Sequence, residues 1–84
     1  MIRVFGSDNC RDCLDLVKHL EMNNYKFKYI DAMSNDKKIE KFCDNNNVDE
    51  LPHLQIIEDG KVIKELIGLD AFRILDEKKR YNNR

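Results

Sequence analysis

The sequence predicts an α/β domain with the element order β-α-β-α-β-β-α, a single mixed sheet with helices on its faces. Three observations carry that prediction. Two strand-like runs near the start are separated by a helical stretch of crossover length, Asp59-Gly60 gives a hairpin signal further on, and three separate windows show helical apolar spacing.

Residues 2–5 are a short β-rich run ending at Gly6, after which Ser7-Asp8-Asn9 offers helix N-cap side chains before Cys10. From residue 10 to about 22, Cys13, Leu16, Val17 and Leu20 fall at i, i+3, i+4 and i+7, on one helical face, with Asp15, Lys18 and Glu21 away from it. Asn23-Asn24 breaks that pattern, and residues 25–30 alternate aromatic or aliphatic residues with lysines, as a half-buried strand does. A helical crossover implies that the two strands are parallel and the connection right-handed. Ser34-Asn35-Asp36 then caps a second helix, with Ile39, Phe42 and Cys43 on one face and Lys37, Lys38, Glu40 and Lys41 in solvent, ending in Asn45-Asn46-Asn47. Residues 53–57 and 61–67 flank Glu58-Asp59-Gly60 and read as an antiparallel pair. Gly68 ends the second of them. Leu69, Phe72 and Leu75, with Ala71 and Ile74 beside them, predict a last amphipathic helix to about Lys79, and a frayed tail from Arg80.

At 84 residues the chain reads as one domain without repeat or linker. Its 15 Lys and Arg nearly cancel 16 Asp and Glu, for a net charge of -1, so no basic footprint argues for nucleic acid or an anionic membrane surface. No apolar run reaches bilayer length and no signal-like segment precedes Gly6, which predicts a soluble, cytoplasmic protein. The three cysteines are odd in number and two are three positions apart. That favours a reactive or metal-binding use over a secreted disulfide framework.

Cys10-Arg11-Asp12-Cys13 stands where a strand turns into a helix. Unpaired N–H groups and the macrodipole at a helix start favour an anion, so Cys10 is expected to be an exposed, activated thiolate. Cys13, nearly one turn on and on the apolar face, is placed to resolve a mixed disulfide formed on Cys10. Arg11 adds positive charge near Cys10 while Asp12 opposes it. A zinc site completed by Cys43, His19 or His53 is the other use of this spacing, but the strand-to-helix context and the lack of a second such pair favour redox chemistry. Cys43 reads as a buried small hydrophobe, with oxidation or glutathionylation as the functional alternative. His19 reads as incidental, and His53 as a strand residue near the site in preference to a proton carrier.

With Cys10-x-x-Cys13 after the first strand, Leu51-Pro52 before the third and Gly68-Leu69-Asp70 at the last helix, the sequence resembles the glutaredoxin family of the thioredoxin fold over essentially its whole length. The resemblance implies one glutaredoxin-like domain over residues 1–84 with a thioredoxin-like fold and a four-stranded mixed sheet. It implies a dithiol-disulfide oxidoreductase in which Cys10 attacks and Cys13 resolves. Pro52 would be cis and face the cysteines, and Leu51 would offer backbone hydrogen bonds to a bound peptide or glutathione. An ordinary trans proline opening a strand is the alternative. Arg11, Gly68, Leu69 and Asp70 join the expected substrate contacts, with Asp70 either binding an amino group or capping its helix.

The implied co-substrate is glutathione, with no tightly bound cofactor and no metal, and the implied reductant is glutathione or a thioredoxin-type reductase. The implied partner is a disulfide-containing protein such as ribonucleotide reductase, served by a monomer. In length the chain is similar to bacteriophage glutaredoxins and to redoxins that feed that enzyme. It departs from the glutaredoxin pattern in lacking Pro-Tyr between the cysteines, in having Ser7 where a lysine is usual, and in having Ile67 for the first of two glycines. These departures loosen the expected grip on glutathione. Thioredoxin is the poorer match, since the chain has no tryptophan. From another class, the rival is a binding module that keeps the fold as a scaffold, or a glutathione-assisted metal or iron-sulfur carrier.

Overall fold

A computed structural model describes residues 1–77. In it the chain forms β1 (Ile2–Gly6), α1 (Arg11–Met22), β2 (Phe27–Asp31), α2 (Lys37–Asn45), β3 (His53–Glu58), β4 (Lys61–Ile67) and a 3₁₀ helix (Gly68–Glu77). The sheet order is β2-β1-β3-β4. β1 runs parallel to β2 and antiparallel to β3, and β3 and β4 form the expected hairpin.

Local sequence explains most boundaries. Asp59 and Gly60 both have positive φ (53° and 77°) between paired Glu58 and Lys61, the two-residue turn whose twist matches the strands. Both α-helices end on asparagine pairs. Asn23 and Asn46 turn their side-chain amides back onto the carbonyls of His19 and Phe42 (2.7 and 2.8 Å). Asn24 and Asn47 then take positive φ (61° and 56°), which lets Tyr25 and Val48 donate to Leu20 and Cys43 in Schellman closures. Asp36 caps α2, its carboxylate accepting from the Lys38 N–H at 2.8 Å.

Two expectations are corrected. β2 starts at Phe27, not Tyr25, because Tyr25 is spent on the helix closure and sends its hydroxyl to the Ile74 carbonyl at 2.8 Å. The last helix is 3₁₀, not α. Its apolar residues repeat strictly every three, Leu69-Phe72-Leu75 and Ala71-Ile74, which a helix of three residues per turn lines up. The stretch towards Lys79 and the tail from Arg80 lie outside the described residues.

β3 is central, and its residues from His53 to Ile57 are buried on both faces. On one face Ile2, Val4, Leu54 and Ile56 pack with Leu16 and Leu20 of α1 and Ala71 and Ile74 of the 3₁₀ helix. On the other, Phe5 packs tilted against Phe42 of α2 and edge-on to His53, and the Arg3 guanidinium lies 4.8 Å over the Phe42 ring. Among the described residues no helix is long and apolar enough to cross a membrane.

Candidate active site

The chain leaves β1 through a tight turn in which Cys10 N–H donates to the Ser7 carbonyl and Asn9 N–H to Ser7 Oγ, both at 3.1 Å. None of Ser7, Asp8 or Asn9 caps α1, contrary to expectation. Cys10 does so itself: it is extended (φ -103°, ψ 107°), and its Sγ accepts the Cys13 N–H at 3.2 Å. Sulfur here takes the place of the usual capping oxygen, because the cap side chain is the group that reaches the N–H three residues on.

Cys10 and Cys13 are joined by a disulfide with their Cα atoms 5.2 Å apart. Cys13 is fully buried and Cys10 half-buried. Cys10 therefore keeps some exposed surface while Cys13 has none, and the Cys10 sulfur sits at the N-terminus of α1.

Gly6 lies directly beneath. A Cβ on it would stand 3.0 Å from Cys13 Cβ, 2.9 Å from Tyr29 Cε1 and 3.0 Å from Tyr29 Oη. The Tyr29 hydroxyl is buried and has no hydrogen-bond partner among the described residues. Burial first, then Asp8 and Asp31, raises its pKa.

The Leu51-Pro52 bond is cis, as the resemblance implied, and Pro52 is buried. Phe5 pairs with His53, so Pro52 stands one residue beyond the last β1–β3 pair, at the end of the sheet where β1 reaches Gly6. The Pro52 carbonyl accepts from Gly68 N–H at 2.8 Å, which brings Leu51, Pro52 and Gly68 together. Gly68 has φ +64°, and any side chain there would run into the Glu50 carboxylate. Leu69 is 71% exposed. Asp70 lies inside the first turn of the 3₁₀ helix, not at its cap, and faces Arg73 at 3.9 Å. Arg11 is drawn along α1 toward Asp15 at 3.9 Å, with its side chain 90% exposed.

The other candidates are dispersed. Burial, then Asp44 and Asp31, pushes the buried Cys43 thiol up, as suits a packed residue. His19 packs edge-on to Phe72. His53 Nε2 meets Glu65 Oε1 at 2.7 Å, while its buried Nδ1 has no partner among the described residues. Among those residues no three His, Cys, Asp or Glu groups converge as a metal set.

Sequence reasoning missed Gly6, Tyr29 and Glu50, which meet their neighbours only through strand register and loop packing. It also missed the buried Gln55. That amide accepts from Arg3 Nε (2.9 Å) and donates to Asn46 (3.1 Å) and Glu65 (3.0 Å). A polar residue in a buried strand was the one available signal.

Solved structures share this architecture. The chain is similar to thioredoxin O2 from Arabidopsis thaliana in its oxidized state, with a TM-score of 0.71 at 18% identity, covering 94% of this chain and 71% of that one. It is also similar to thioredoxin 1 from the thermophilic eubacterium Thermosipho africanus, with a TM-score of 0.68 at 16% identity, covering 94% of this chain and 98% of that one. No family model and no curated protein matches the sequence. The fold is thioredoxin-like, a four-stranded mixed sheet flanked by helices. Matches at this identity establish the fold alone.

Proposed function

We propose that the protein is a thiol-disulfide oxidoreductase in which Cys10 attacks and Cys13 resolves. The observation that carries this reading is the pairing of a half-buried Cys10, whose sulfur caps α1 and accepts the Cys13 N–H at 3.2 Å, with a disulfide to the fully buried Cys13. The N–H and the helix start stabilise a Cys10 thiolate, and a buried Cys13 reaches no substrate except one already bound to Cys10.

The finer reading is glutaredoxin-like. Glutathione or a thioredoxin-type reductase restores the dithiol, and a disulfide-bearing protein such as ribonucleotide reductase receives its electrons. Leu51, Pro52, Gly68, Leu69 and Asp70 form the substrate edge, where the backbone around a cis proline pairs with an extended peptide. Arg11 borders the Cys10 side. Such a cycle works as a monomer in a reducing compartment, the cytoplasm, with no tightly bound cofactor and no metal.

The test is turnover of a glutathione mixed disulfide coupled to glutathione reductase, with Cys10→Ser and Cys13→Ser in parallel. Activity lost in Cys10→Ser and partly kept in Cys13→Ser is the expected result. Turnover with a thioredoxin-type reductase alone would replace glutathione as the donor. Failure with both donors would leave the non-catalytic binding module.

A further inference from the structure

β2 brings a phenol close to Cys13, and nothing in the dithiol cycle described above uses it. Tyr29 Oη is shielded from solvent and lacks a hydrogen-bond partner among the described residues. It stands 3.0 Å from the point where a side chain on Gly6 would begin, and Cys13 Cβ stands 3.0 Å from the same point. The hydroxyl and that carbon are therefore within twice that distance of each other, an approach that the missing side chain of Gly6 permits.

A buried hydroxyl without a partner is costly, and native proteins rarely leave one. Such a donor makes sense if another state of the molecule supplies its acceptor. The proposed reaction creates one, because sulfur in a disulfide accepts hydrogen bonds poorly, whereas a thiolate is a charged acceptor.

We propose that Tyr29 positions and stabilises the reduced form of Cys13, its O–H donating a hydrogen bond to the Cys13 sulfur once the disulfide opens. This rests on the reading of Cys13 as the resolving thiol. Burial and the carboxylates of Asp8 and Asp31 hold the phenol protonated, so it serves as a donor and not as a base. The same carboxylates disfavour a thiolate nearby, and a neutral donor offsets them.

In the resolving step the Cys13 thiol gives its proton to solvent, and the thiolate attacks Cys10 Sγ of the mixed disulfide. The Cys10–Cys13 bond forms as the bond from Cys10 to the substrate sulfur breaks. That sulfur leaves with the electron pair and takes a proton from water. Over the cycle the two cysteines lose two electrons and the substrate disulfide gains two. Tyr29 keeps its proton throughout and gives up its hydrogen bond when the disulfide closes.

The test is Tyr29→Phe in the full chain. Loss of the O–H removes a bond from the dithiol state and relieves the orphaned group in the disulfide state, so both effects act in one direction. In glutathione redox buffers the dithiol-disulfide equilibrium should move about tenfold toward the disulfide, a potential about 30 mV more negative. In a Cys10→Ser background, Tyr29→Phe should move the Cys13 titration, read by ¹³C NMR, to higher pH. The Tyr29 ¹³Cζ resonance of the unsubstituted protein should shift between its oxidised and reduced forms, a readout that needs no variant to fold. An unchanged potential, or a ¹³Cζ resonance indifferent to reduction, would overturn the proposal. If both respond while no disulfide substrate turns over, the role of Tyr29 stands and the oxidoreductase assignment falls. If substrates turn over and neither responds, the reverse holds.

Discussion

Gly6 shows how a missing side chain sets the geometry of the candidate site. Alanine there would put a methyl 2.9 Å from the Tyr29 ring and 3.0 Å from Cys13 Cβ. Overpacking of that kind costs about 1–3 kcal/mol, more than the 0.4–1 kcal/mol or so that Gly→Ala gains by restricting the unfolded chain. Gly6→Ala should therefore lower the urea midpoint without altering the slope. Glu50 makes a comparable contact, with its carboxylate against Gly68, one of the residues the resemblance assigns to substrate contact. Glu50→Ala should lower the KM for a glutathione mixed disulfide about two- to fivefold, the scale of one charge at a helix start. An unchanged KM would show that glutathione does not use Gly68. The two cysteines were legible in the sequence because their relation is local, three positions apart at the start of one helix. Pro52 was legible through the resemblance, which implied a cis bond there, while its position alone left an ordinary trans proline open. Gly6, Tyr29 and Glu50 were not, since each acts through a partner distant in sequence, and neither register nor loop packing can be read from spacing.

The apolar periods placed the elements in order, and what they left open was how each one ends, the type of the last helix and how deeply β3 is buried. Both α-helices end in asparagine at positive φ, a conformation that costs a residue with a Cβ about 1–2 kcal/mol and costs glycine nothing. Asn24→Gly should raise stability and Asn24→Ala should lower it, with about 1 kcal/mol between the two variants in chemical denaturation. The 3₁₀ helix was misread because an apolar repeat of three fits a helix of 3.6 residues per turn over so short a window. β3 was recognised as a strand but not as one buried on both faces, so the polar chain through Arg3, Gln55, Asn46, Glu65 and His53 came from no local pattern. Hydrogen bonds from Gln55 and then His53 lower the Glu65 pKa against the opposing effect of burial. A carboxyl depressed on folding contributes stability that is present above the usual carboxylate range and is lost as pH falls through its folded value. The stability gap between the unsubstituted protein and Glu65→Gln should accordingly be open at neutral pH and close in acid. With the Glu65 side chain 44% exposed, solvent screening keeps that gap small. A gap independent of pH would show that the bonds from Gln55 and His53 act through shape and not charge.

For the whole molecule, the question is how far the fold depends on its disulfide. The bond closes a ring between residues three apart at the edge of the core, while the sheet, α1 and the 3₁₀ helix are held by apolar contacts that do not pass through it. The chain-entropy relation gives so short a loop about 2 kcal/mol. A domain of this size has roughly 4–13 kcal/mol in total at 0.05–0.15 kcal/mol per residue, so the dithiol form should remain folded. Linkage makes the relation reciprocal: whatever the disulfide adds to the stability of the fold, the fold adds to the stability of the disulfide. The proposed dithiol cycle is served by a small coupling, because a large one would lock the protein oxidised. Reduction should therefore lower the urea midpoint by about 1–2 M while leaving the far-ultraviolet dichroism unchanged. Unfolding on reduction would mean that the disulfide is a structural staple, and the dithiol cycle would then have no folded state in which to run.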